Sequence, residues 1–360
     1  MSKIIFIHLL NDFSGSPKVL SQIVKSYKNK TDDVEIFTSK DEGFLSNIVK
    51  KHHNFFYKRS ENKFLTLFSY VSSQVDLFFK ILKYKNQDVK IYINTLLPFG
   101  AALAGYITKK EVIYHIHETS IRPNILKKFL RYIVSNTASK IIFVSNDLEQ
   151  KEKFENKKSF VIHNALENSF LKIASKYTYS HKHENKFIVM MICSLKDYKG
   201  IPEFLKIAKK LESHEHISFR LILNSEQNEI DKYFQNQKFE NIEIFSKQKD
   251  LEKFYSTSSL VLNLSRVDQW VETFGLTIVE ALAFGIPVIV PPIGGPIEIV
   301  EEGLEGFLIS SYEIDKVAKK IAELSNDETT CINLSKNAKE KALIFSEDLF
   351  LGKIQKVVNA

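Results

Sequence analysis

Residues 271–290 read VETFGLTIVEALAFGIPVIV, and a strand-like block, LVLNLS, precedes them at 260–265. The apolar pattern predicts a helix from about Thr277 to Phe284, with Gly285 as the residue that ends it. IPVIVP then reads as the next buried strand. The stretch therefore predicts a strand, a loop, a helix and a second strand in immediate succession, which is the repeating unit of a parallel α/β sheet.

Two glutamates flank the glycine turn of this unit. Glu272 is expected in the loop at the carboxyl end of a strand, and Glu280 in the first turn of the next helix. A helix N-terminus behind Gly275 suits a diphosphate, because backbone N–H groups and the helix dipole face the anion. A carboxylate on each side would accept hydrogen bonds from sugar hydroxyls. A nucleotide sugar has this layout of ribose, diphosphate and hexose. The competing interpretation is a capping box with Thr277 as N-cap, which explains Glu280 but not Glu272.

The same alternation extends over the whole chain in two series. The first contains KIIFIHLL, VEIFTS, VKIYIN, VIYHIH, KIIFVS and SFVIHN, and the second contains KFIVMMICSL, SFRLILN, NIEIFS, LVLNLS, IPVIVP and GFLIS. Continuous apolar strands separated by helical segments indicate parallel sheets covered on both faces. The predicted fold class is α/β, with two doubly wound, Rossmann-like domains that face each other across a cleft and bind ligands at their strands' carboxyl ends.

The domain boundaries follow from the gap between the two series. A length of 360 residues suggests two domains. We predict an N-terminal domain over 1–173 and a linker at the polar stretch 174–186. A nucleotide-sugar-binding domain is predicted over 187–344, and a C-terminal helix within 345–360 is expected to pack back toward the first domain.

Composition excludes several classes of protein. No run approaches the ~18 apolar residues of a membrane span. The opening MSKIIFIHLL reads as a buried strand rather than a signal peptide. The only cysteines, Cys193 and Cys331, are far apart, which excludes a cysteine zinc site and fits a reducing cytoplasm. We therefore expect a cytoplasmic protein.

The net charge of +7 is unevenly distributed. Residues 1–178 carry 28 Lys and Arg against 16 Asp and Glu, whereas residues 179–360 carry 22 against 27. In RPNILKKFLRYIV, read as a helix, Lys127, Lys128 and Arg131 cluster on one side; residues 63–85 are apolar with basic ends. Two interpretations stay open: core helices with solvated lysines, or peripheral attachment to an anionic membrane surface. Nucleic acid is not an expected partner, since no recognition motif accompanies the charge.

The motif E-x7-E in its setting, ETFGLTIVEAL followed by FGIPVIVPPIGGPIEIVEEGLEGFLI, resembles the retaining glycosyltransferases of family 4, which have the GT-B fold. Four further segments resemble that family in the same order along the chain: SGSPKVLSQIV, KIIFVSNDL, VIHNALENSF and MICSLKDYKGIPEFLKIAKKL. The resemblance implies transfer of a sugar from a nucleoside-diphosphate sugar to a glycan or lipid-linked acceptor, with the acceptor bound by the N-terminal domain over 1–173. It also implies a place in bacterial surface polysaccharide synthesis of the O-antigen or capsule type.

The resemblance also implies roles for individual residues. Glu272 would bind the donor sugar's hydroxyls and position its anomeric carbon, and Glu280 would bind the ribose. Lys199 would neutralise the departing diphosphate, since a fixed cation stabilises charge that develops in the transition state. His117 would reach the donor sugar near the reaction centre, and Gly15 would let the backbone approach a phosphate or acceptor. The donor-binding set also includes Ser194, Phe274, Gly275, Leu276 and Thr277.

The sequence departs from the family at one cationic position. Ser194 stands where the family usually has an arginine, and Lys196 in the same loop does not reproduce a guanidinium fork. Two family glycines are also replaced, by Cys193 and Asn224.

A metal site is not expected. His115 and His117 have a spacing that suits a metal on a strand, but no third ligand accompanies them and the chain has no DxD triplet. We predict neither a metal nor a cofactor, with the nucleotide sugar as substrate. Two alternatives remain: a non-catalytic nucleotide-sugar-binding protein of the same fold, which Ser194 favours, and a sugar-nucleotide epimerase. Retention of the two glutamates, Lys199 and His117 argues against the first.

Overall fold

The structure is a computed structural model that describes residues 3–29, 33–235, 237 and 239–360. Contacts between residues divide the chain into two compact units. The first unit contains Met1–Asn164 together with Glu347–Ala360, and the second contains Ala165–Ser346. Each unit is built on one parallel sheet with its own buried core.

A seven-stranded parallel sheet forms the centre of the first unit, in the order β3-β2-β1-β4-β5-β6-β7. Ile5 in β1 pairs with Glu35 on one side and Ile91 on the other. The strands are β1 (Lys3–Ile7), β2 (Val34–Ser39), β3 (Lys51–Phe55), β4 (Val89–Asn94), β5 (Glu111–Ile116), β6 (Lys140–Phe143) and β7 (Lys158–Val161).

Helices connect successive strands except β2 and β3, which a loop of turns over residues 40–50 joins. They are α1 (Gly15–Lys28), α2 (Lys63–Leu82), α3 (Phe99–Ile107), α4 (Asn124–Thr137) and α5 (Asn146–Glu152). The C-terminal helix, Glu347–Asn359, also belongs to this unit. Near its end, Lys140 of β6 donates a hydrogen bond to the carbonyl oxygen of Val357 at 3.0 Å.

The second unit has a six-stranded parallel sheet in the order β10-β9-β8-β11-β12-β13. Its core contains buried aromatic and aliphatic side chains such as Phe187, Phe204 and Leu260. The strands are β8 (Phe187–Cys193), β9 (Ile217–Leu223), β10 (Ile242–Phe245), β11 (Leu260–Leu262), β12 (Val288–Val290) and β13 (Gly306–Leu308). The α-helices are α6 (Asn168–Ala174), α7 (Ile201–Lys210), α8 (Gln227–Phe234), α9 (Glu252–Tyr255), α10 (Leu276–Ala283), α11 (Pro296–Ile299), α12 (Ile314–Asn326) and α13 (Glu328–Ala342). Two short 3-10 helices cover Asp197–Lys199 and Leu343–Phe345.

The predicted fold class is confirmed, because each unit is a doubly wound parallel α/β sheet. One strand was missed. β3 has the sequence KHHNF and lies at the sheet edge, so it lacks the apolar run of a buried strand.

The contact boundaries differ from the predicted ones. Residues 165–173 group with the second unit, and the predicted linker 174–186 lies inside that unit. Tyr179 donates a hydrogen bond to the carbonyl oxygen of Ser259 at 2.9 Å, and His181 is buried. This polar stretch is therefore packed against the second unit's core.

Strand order reverses once in each sheet, between β1 and β4 and between β8 and β11. In open α/β sheets, ligands bind outside the carboxyl ends of the strands that flank such a reversal. The loops that follow β8 and β11 carry Lys199 and Glu272. The fold thus brings two predicted site residues, 73 positions apart in sequence, to one place.

None of the helices in the described part of the chain is both long enough and apolar enough to cross a membrane.

Candidate functional site

The candidate site of the second unit is centred on an ion pair between Lys199 and Glu272. Lys199 Nζ lies 2.7 Å from Glu272 Oε2, and the two side chains are only 17% and 19% exposed. Ser265 Oγ lies 3.4 Å from the same carboxylate oxygen. Because the pair is largely shielded from water, its charges interact more strongly than an exposed pair would.

Two aromatic rings support this ion pair. Tyr198 and Trp270 stack with ring centroids 5.0 Å apart and an interplanar angle of 17°. Lys199 Nζ lies 5.0 Å from the centroid of the Trp270 ring, which is within the range of a cation–π interaction. The loop after β8 and the loop after β11 are therefore joined by ring stacking as well as by charge. Sequence reasoning missed both aromatic residues, whose partnership joins positions far apart in the chain.

Gly200 fixes the position of Lys199. Its φ of +89° lies in the left-handed region, and a Cβ there would come within 2.2 Å of the carbonyl oxygen of Leu264. Only glycine fits this close approach between the two loops. The predicted Lys199-Gly200 pair is therefore explained by backbone packing: the glycine allows the lysine to stand at Glu272.

The glycine turn before α10 differs from the predicted one in register. Gly275, at φ +108°, is the N-cap, and the helix begins at Leu276. The competing interpretation, a capping box with Thr277 as N-cap, is wrong because Thr277 lies inside the helix. Glu280, expected in the first turn, lies in the second. The first amides of a helix have no carbonyl partner within it, so Leu276 and Thr277 present N–H groups at this end. The predicted helix end at Gly285, with φ +73°, is confirmed.

Glu280 is buried, with 3% of its surface exposed. The hydroxyl of Tyr255 donates a hydrogen bond to Glu280 Oε2 at 2.8 Å. Burial and the neighbouring carboxylate raise the pKa of Tyr255, so this phenol stays protonated. Tyr255 was not predicted; nothing in its local sequence, EKFYSTS, distinguishes it from an ordinary helix residue.

Two further predicted donor-binding residues, Phe274 and Ser194, lie close in sequence to Glu272 and Lys199. They differ in how far they are exposed to solvent. Phe274 is buried and its ring meets Phe345 edge to face, with centroids 5.7 Å apart. Ser194 is half-buried, and its carbonyl oxygen accepts a hydrogen bond from Lys196 N–H at 2.7 Å. The Lys196 side chain is exposed, unlike that of Lys199. Burial raises the pKa of the Cys193 thiol to about 12, so it is neutral at physiological pH.

In the first unit, Asn94 connects the two predicted residues Gly15 and His117. Asn94 Nδ2 donates to the carbonyl oxygen of Ser16, next to Gly15, at 3.1 Å. His117 Nε2 lies 2.9 Å from Asn94 Oδ1, and since that oxygen only accepts, Nε2 carries the proton. Asn94 is fully buried and was missed by sequence reasoning.

Three histidines meet at the carboxyl ends of β1 and β5. Burial, reinforced by His115 and His8, holds the pKa of His117 well below its usual range. Burial likewise lowers the pKa of His115 to about 3 and that of His8 to about 4. All three rings are therefore neutral at pH 7. The adjacent Glu118 accepts a hydrogen bond from Leu96 N–H at 2.8 Å, and burial raises its pKa to about 7.

Within residues 3–29, 33–235, 237 and 239–360, no group of three or more His, Cys, Asp or Glu side chains is arranged to hold a metal ion.

Two of the three cations that were predicted to cluster on one side of α4 are paired within the first unit. Lys127 and Arg131 both form ion pairs with Glu152, whose side chain is 2% exposed. These cations are thus neutralised inside the unit, and Lys128 alone of the three is exposed.

Comparison with known sequences finds a family match within the second unit. Residues 177–341 match the family of glycosyl transferases group 1. A sucrose synthase of Acidithiobacillus caldus is 42% identical over 52 residues, which cover 14% of this chain and 7% of that relative. An uncharacterized glycosyltransferase of Methanocaldococcus jannaschii is 25% identical over 266 residues, covering 72% of this chain and 70% of the relative. The chain thus spans a small part of the sucrose synthase and most of the archaeal relative.

Solved structures show the same fold. HepE of Anabaena, crystallised in complex with UDP and glucose, superposes with a TM-score of 0.81 at 20% identity, covering 100% of both chains. A glycosyltransferase of Rickettsia africae superposes with a TM-score of 0.79 at 19% identity, covering 99% of this chain and 97% of the other. The fold is therefore that of the GT-B glycosyltransferases.

Proposed function

We propose that this chain, of which residues 177–341 match the glycosyl transferases group 1 family, belongs to that family and transfers a sugar from a nucleoside-diphosphate sugar to a glycan or lipid-linked acceptor. Within that family we propose family 4, transfer with retention at the anomeric carbon, and a role in bacterial surface polysaccharide synthesis. The observation that carries the proposal is the 2.7 Å pair of Lys199 and Glu272 at the strand reversal of the second sheet.

The chemistry of this pair suits a nucleotide sugar. A carboxylate accepts hydrogen bonds from sugar hydroxyls, whereas an ammonium stabilises a phosphate anion. In the resting site these two groups satisfy each other. When a donor binds, its diphosphate replaces Glu272 as the partner of Lys199, and its sugar replaces Lys199 as the partner of Glu272. The charges are then already in place when negative charge develops on the leaving diphosphate.

The start of α10 supports the position of the diphosphate. The amides of Leu276 and Thr277 lie at the N-terminal end of this helix, where the dipole favours an anion. We assign Phe274 and Gly275 to shaping the turn that presents them. Ser194 leaves Lys199 without the arginine that usually shares this charge, so we expect Lys199 to carry most of it.

Three roles rest on resemblance together with local geometry. Glu280 is proposed to bind the donor's ribose, and its bond from Tyr255 would orient the carboxylate. His117 is proposed to contact the donor sugar as a neutral ring that donates through Nε2. Gly15 is proposed to let the backbone approach a phosphate or an acceptor hydroxyl.

The decisive experiment is incubation with candidate donors with and without acceptors. HepE has been crystallised with UDP and with UDP-glucose, which makes these the first ligands to test. Fluorescence of Trp270, the single tryptophan, reports binding beside Lys199. Nucleotide release that depends on an acceptor supports the proposal. Tight binding without turnover would favour a non-catalytic protein, and isomerised donor an epimerase. No binding to any nucleoside-diphosphate sugar would overturn it.

A further inference from the structure

The helix α2 places polar side chains on its buried face and apolar side chains on its exposed face, the reverse of the usual arrangement in water. Its buried face contains Ser69, Ser73 and Gln74 beside Tyr70, Leu77 and Ile81. Its exposed face carries one apolar stripe: Phe64, Phe68, Val71, Val75 and Phe79. Phe64 is 83% exposed and Phe68 is 73% exposed. A surface helix ordinarily places its apolar stripe toward the core, so this stripe requires another explanation.

The apolar surface continues across the two neighbouring helices. α2 packs on α3, and α3 packs on α4. α3 contributes exposed Tyr106 and Ile107 and contains no charged residue. α4 contributes Ile125, Phe129 and Tyr132, all exposed. We call these side chains of α2, α3 and α4 the apolar face. Exposed apolar side chains gathered on three helices that pack side by side indicate a site of interaction.

Cations frame the apolar face at both ends of α2. Lys58, Arg59 and Lys63 lie at its start, and Lys83 and Lys85 follow its end; all five are exposed. Among the described residues, no acidic side chain forms an ion pair with any of them. On α2 itself the acidic residue is Asp76, which Lys80 neutralises at 2.7 Å.

We propose that the first unit docks on an anionic lipid bilayer through the apolar face, with α2 lying along the membrane surface. Phenylalanines enter the boundary between head groups and acyl chains, and the lysines at both ends of α2 contact anionic head groups. Tyr106 and Tyr132 have the amphipathic rings that favour this depth. Attachment is thus mainly apolar, and its cations are those around α2 rather than Lys127 and Arg131.

The cations at the two ends of α2 favour a bilayer over a second copy of the chain as the occupant of the apolar face. In an antiparallel pairing of two α2 helices, Lys58, Arg59 and Lys63 of one copy would meet Lys83 and Lys85 of the other. In a parallel pairing, identical cations would meet. Either arrangement places like charges together at both ends, which disfavours association. Anionic head groups complement both ends at once.

The test is sedimentation of the full chain with vesicles of phosphatidylcholine containing phosphatidylglycerol, at low and high salt. We expect binding that falls about tenfold for each of Phe64→Ser and Phe68→Ser, since burying a phenylalanine contributes at least that factor. Lys63→Gln and Lys83→Gln should each weaken binding about fivefold at low salt and have little effect at high salt. The matched control is Leu343→Ser with Ile344→Ser, which removes exposed apolar residues of the second unit and should leave binding unchanged.

Two further measurements are the depth to which α2 enters the bilayer and the oligomeric state of the chain without lipid. Phe68→Trp should gain fluorescence that brominated acyl chains quench, above the Trp270 background of the unmodified chain. Circular dichroism and thermal unfolding establish that each variant is folded. The inference is overturned by equal vesicle binding of the parent and the phenylalanine variants, by no binding at all, or by a lipid-free dimer that Phe64→Ser dissociates. None of these readouts depends on sugar transfer.

Discussion

The ion pair between Lys199 and Glu272 yields a quantitative prediction for stability. Lys199→Met keeps the apolar stem and removes the charge. Exposed ion pairs contribute about 0–1 kcal/mol, and hydrogen bonds to charged groups about 1.5–3 kcal/mol. Since both side chains are less than one fifth exposed, at 17% and 19%, we expect Lys199→Met to destabilise the second unit by about 1.5 kcal/mol. Ser265, at 3.4 Å, is too distant to replace the lost donor fully.

A double-mutant cycle measures the interaction energy between Lys199 and Glu272 apart from their contacts with other residues. Lys199→Met and Glu272→Gln should each be destabilising, whereas the double variant should cost about 1 kcal/mol less than their sum. Urea unfolding followed through Trp270 reports the second unit, because this single tryptophan lies beside Lys199. The control is Lys196→Met, which removes an exposed lysine of the same loop and should change stability by less than about 0.5 kcal/mol.

The same cycle has a kinetic counterpart under the proposed function. Lys199 meets charge that grows as the diphosphate leaves, so Lys199→Met should lower kcat by about 10²–10³ and change donor KM little. Glu272→Gln should impair both donor binding and turnover. A coupling energy near zero, or an effect of Lys196→Met equal to that of Lys199→Met, would refute the assignment of this pair as the centre of the site.

Three further outcomes are expected. Burial lowers the pKa of His8 to about 4, against a value near 6.5 in the unfolded chain. As pH falls from 7 to 5, the unfolded chain therefore binds a proton that the folded chain does not, and the free energy of unfolding decreases. His8→Asn should reduce this decrease by about 2 kcal/mol, measured by urea unfolding with circular dichroism. Glu280→Gln should weaken nucleotide binding about tenfold in a fluorescence titration, whereas Tyr255→Phe, which removes the bond that orients the carboxylate, should cost about 1 kcal/mol of stability and weaken binding less. Unchanged affinity of Glu280→Gln would assign Glu280 a packing role. Transfer should persist in a chelator without added divalent metal, and activity restored only by Mn²⁺ or Mg²⁺ would contradict the metal-independent reaction.

The strands could be predicted from the sequence wherever burial alone determines the local structure. Strands buried on both faces are continuous apolar runs, as in FIVMMIC of β8, and these were found. β3 was missed because its stability comes from pairing with β2 at the edge of the sheet. There Lys51 pairs with Glu35 in register, and their side chains also approach to 3.6 Å. Such pairing joins distant segments, so the five residues KHHNF carry no signal of it.

The candidate site could be predicted only in part, because some of its residues depend on partners that are distant in sequence. Lys199 and Glu272 were found because their sequence neighbours resemble a family motif, whereas Tyr255, Trp270 and Asn94 act through partners far away in sequence. The helix start was misplaced because Thr277 satisfies the local capping pattern. Backbone conformation overrides that pattern: Gly275 turns the chain at positive φ and starts the helix one residue before Thr277.

The reversed polarity of α2 shows how a neighbouring helix can override a hydrophobic pattern. By periodicity alone, the stripe of Phe64, Phe68 and Val71 belongs in the core. The contact with α3 requires otherwise. Gln74 Oε1 accepts the N–H of Gly100 at 3.1 Å, and a Cβ on Gly100 would come within 2.1 Å of the Gln74 carbonyl oxygen. Backbones this close leave no space for a phenylalanine where Gly100 meets Gln74, although Tyr70 of α2 packs against Phe99 of α3 with ring centroids 5.8 Å apart. The apolar stripe therefore faces outward, where its side chains are exposed. The contact that fixes α2 in the fold is thus the same one that leaves its phenylalanines exposed at the surface.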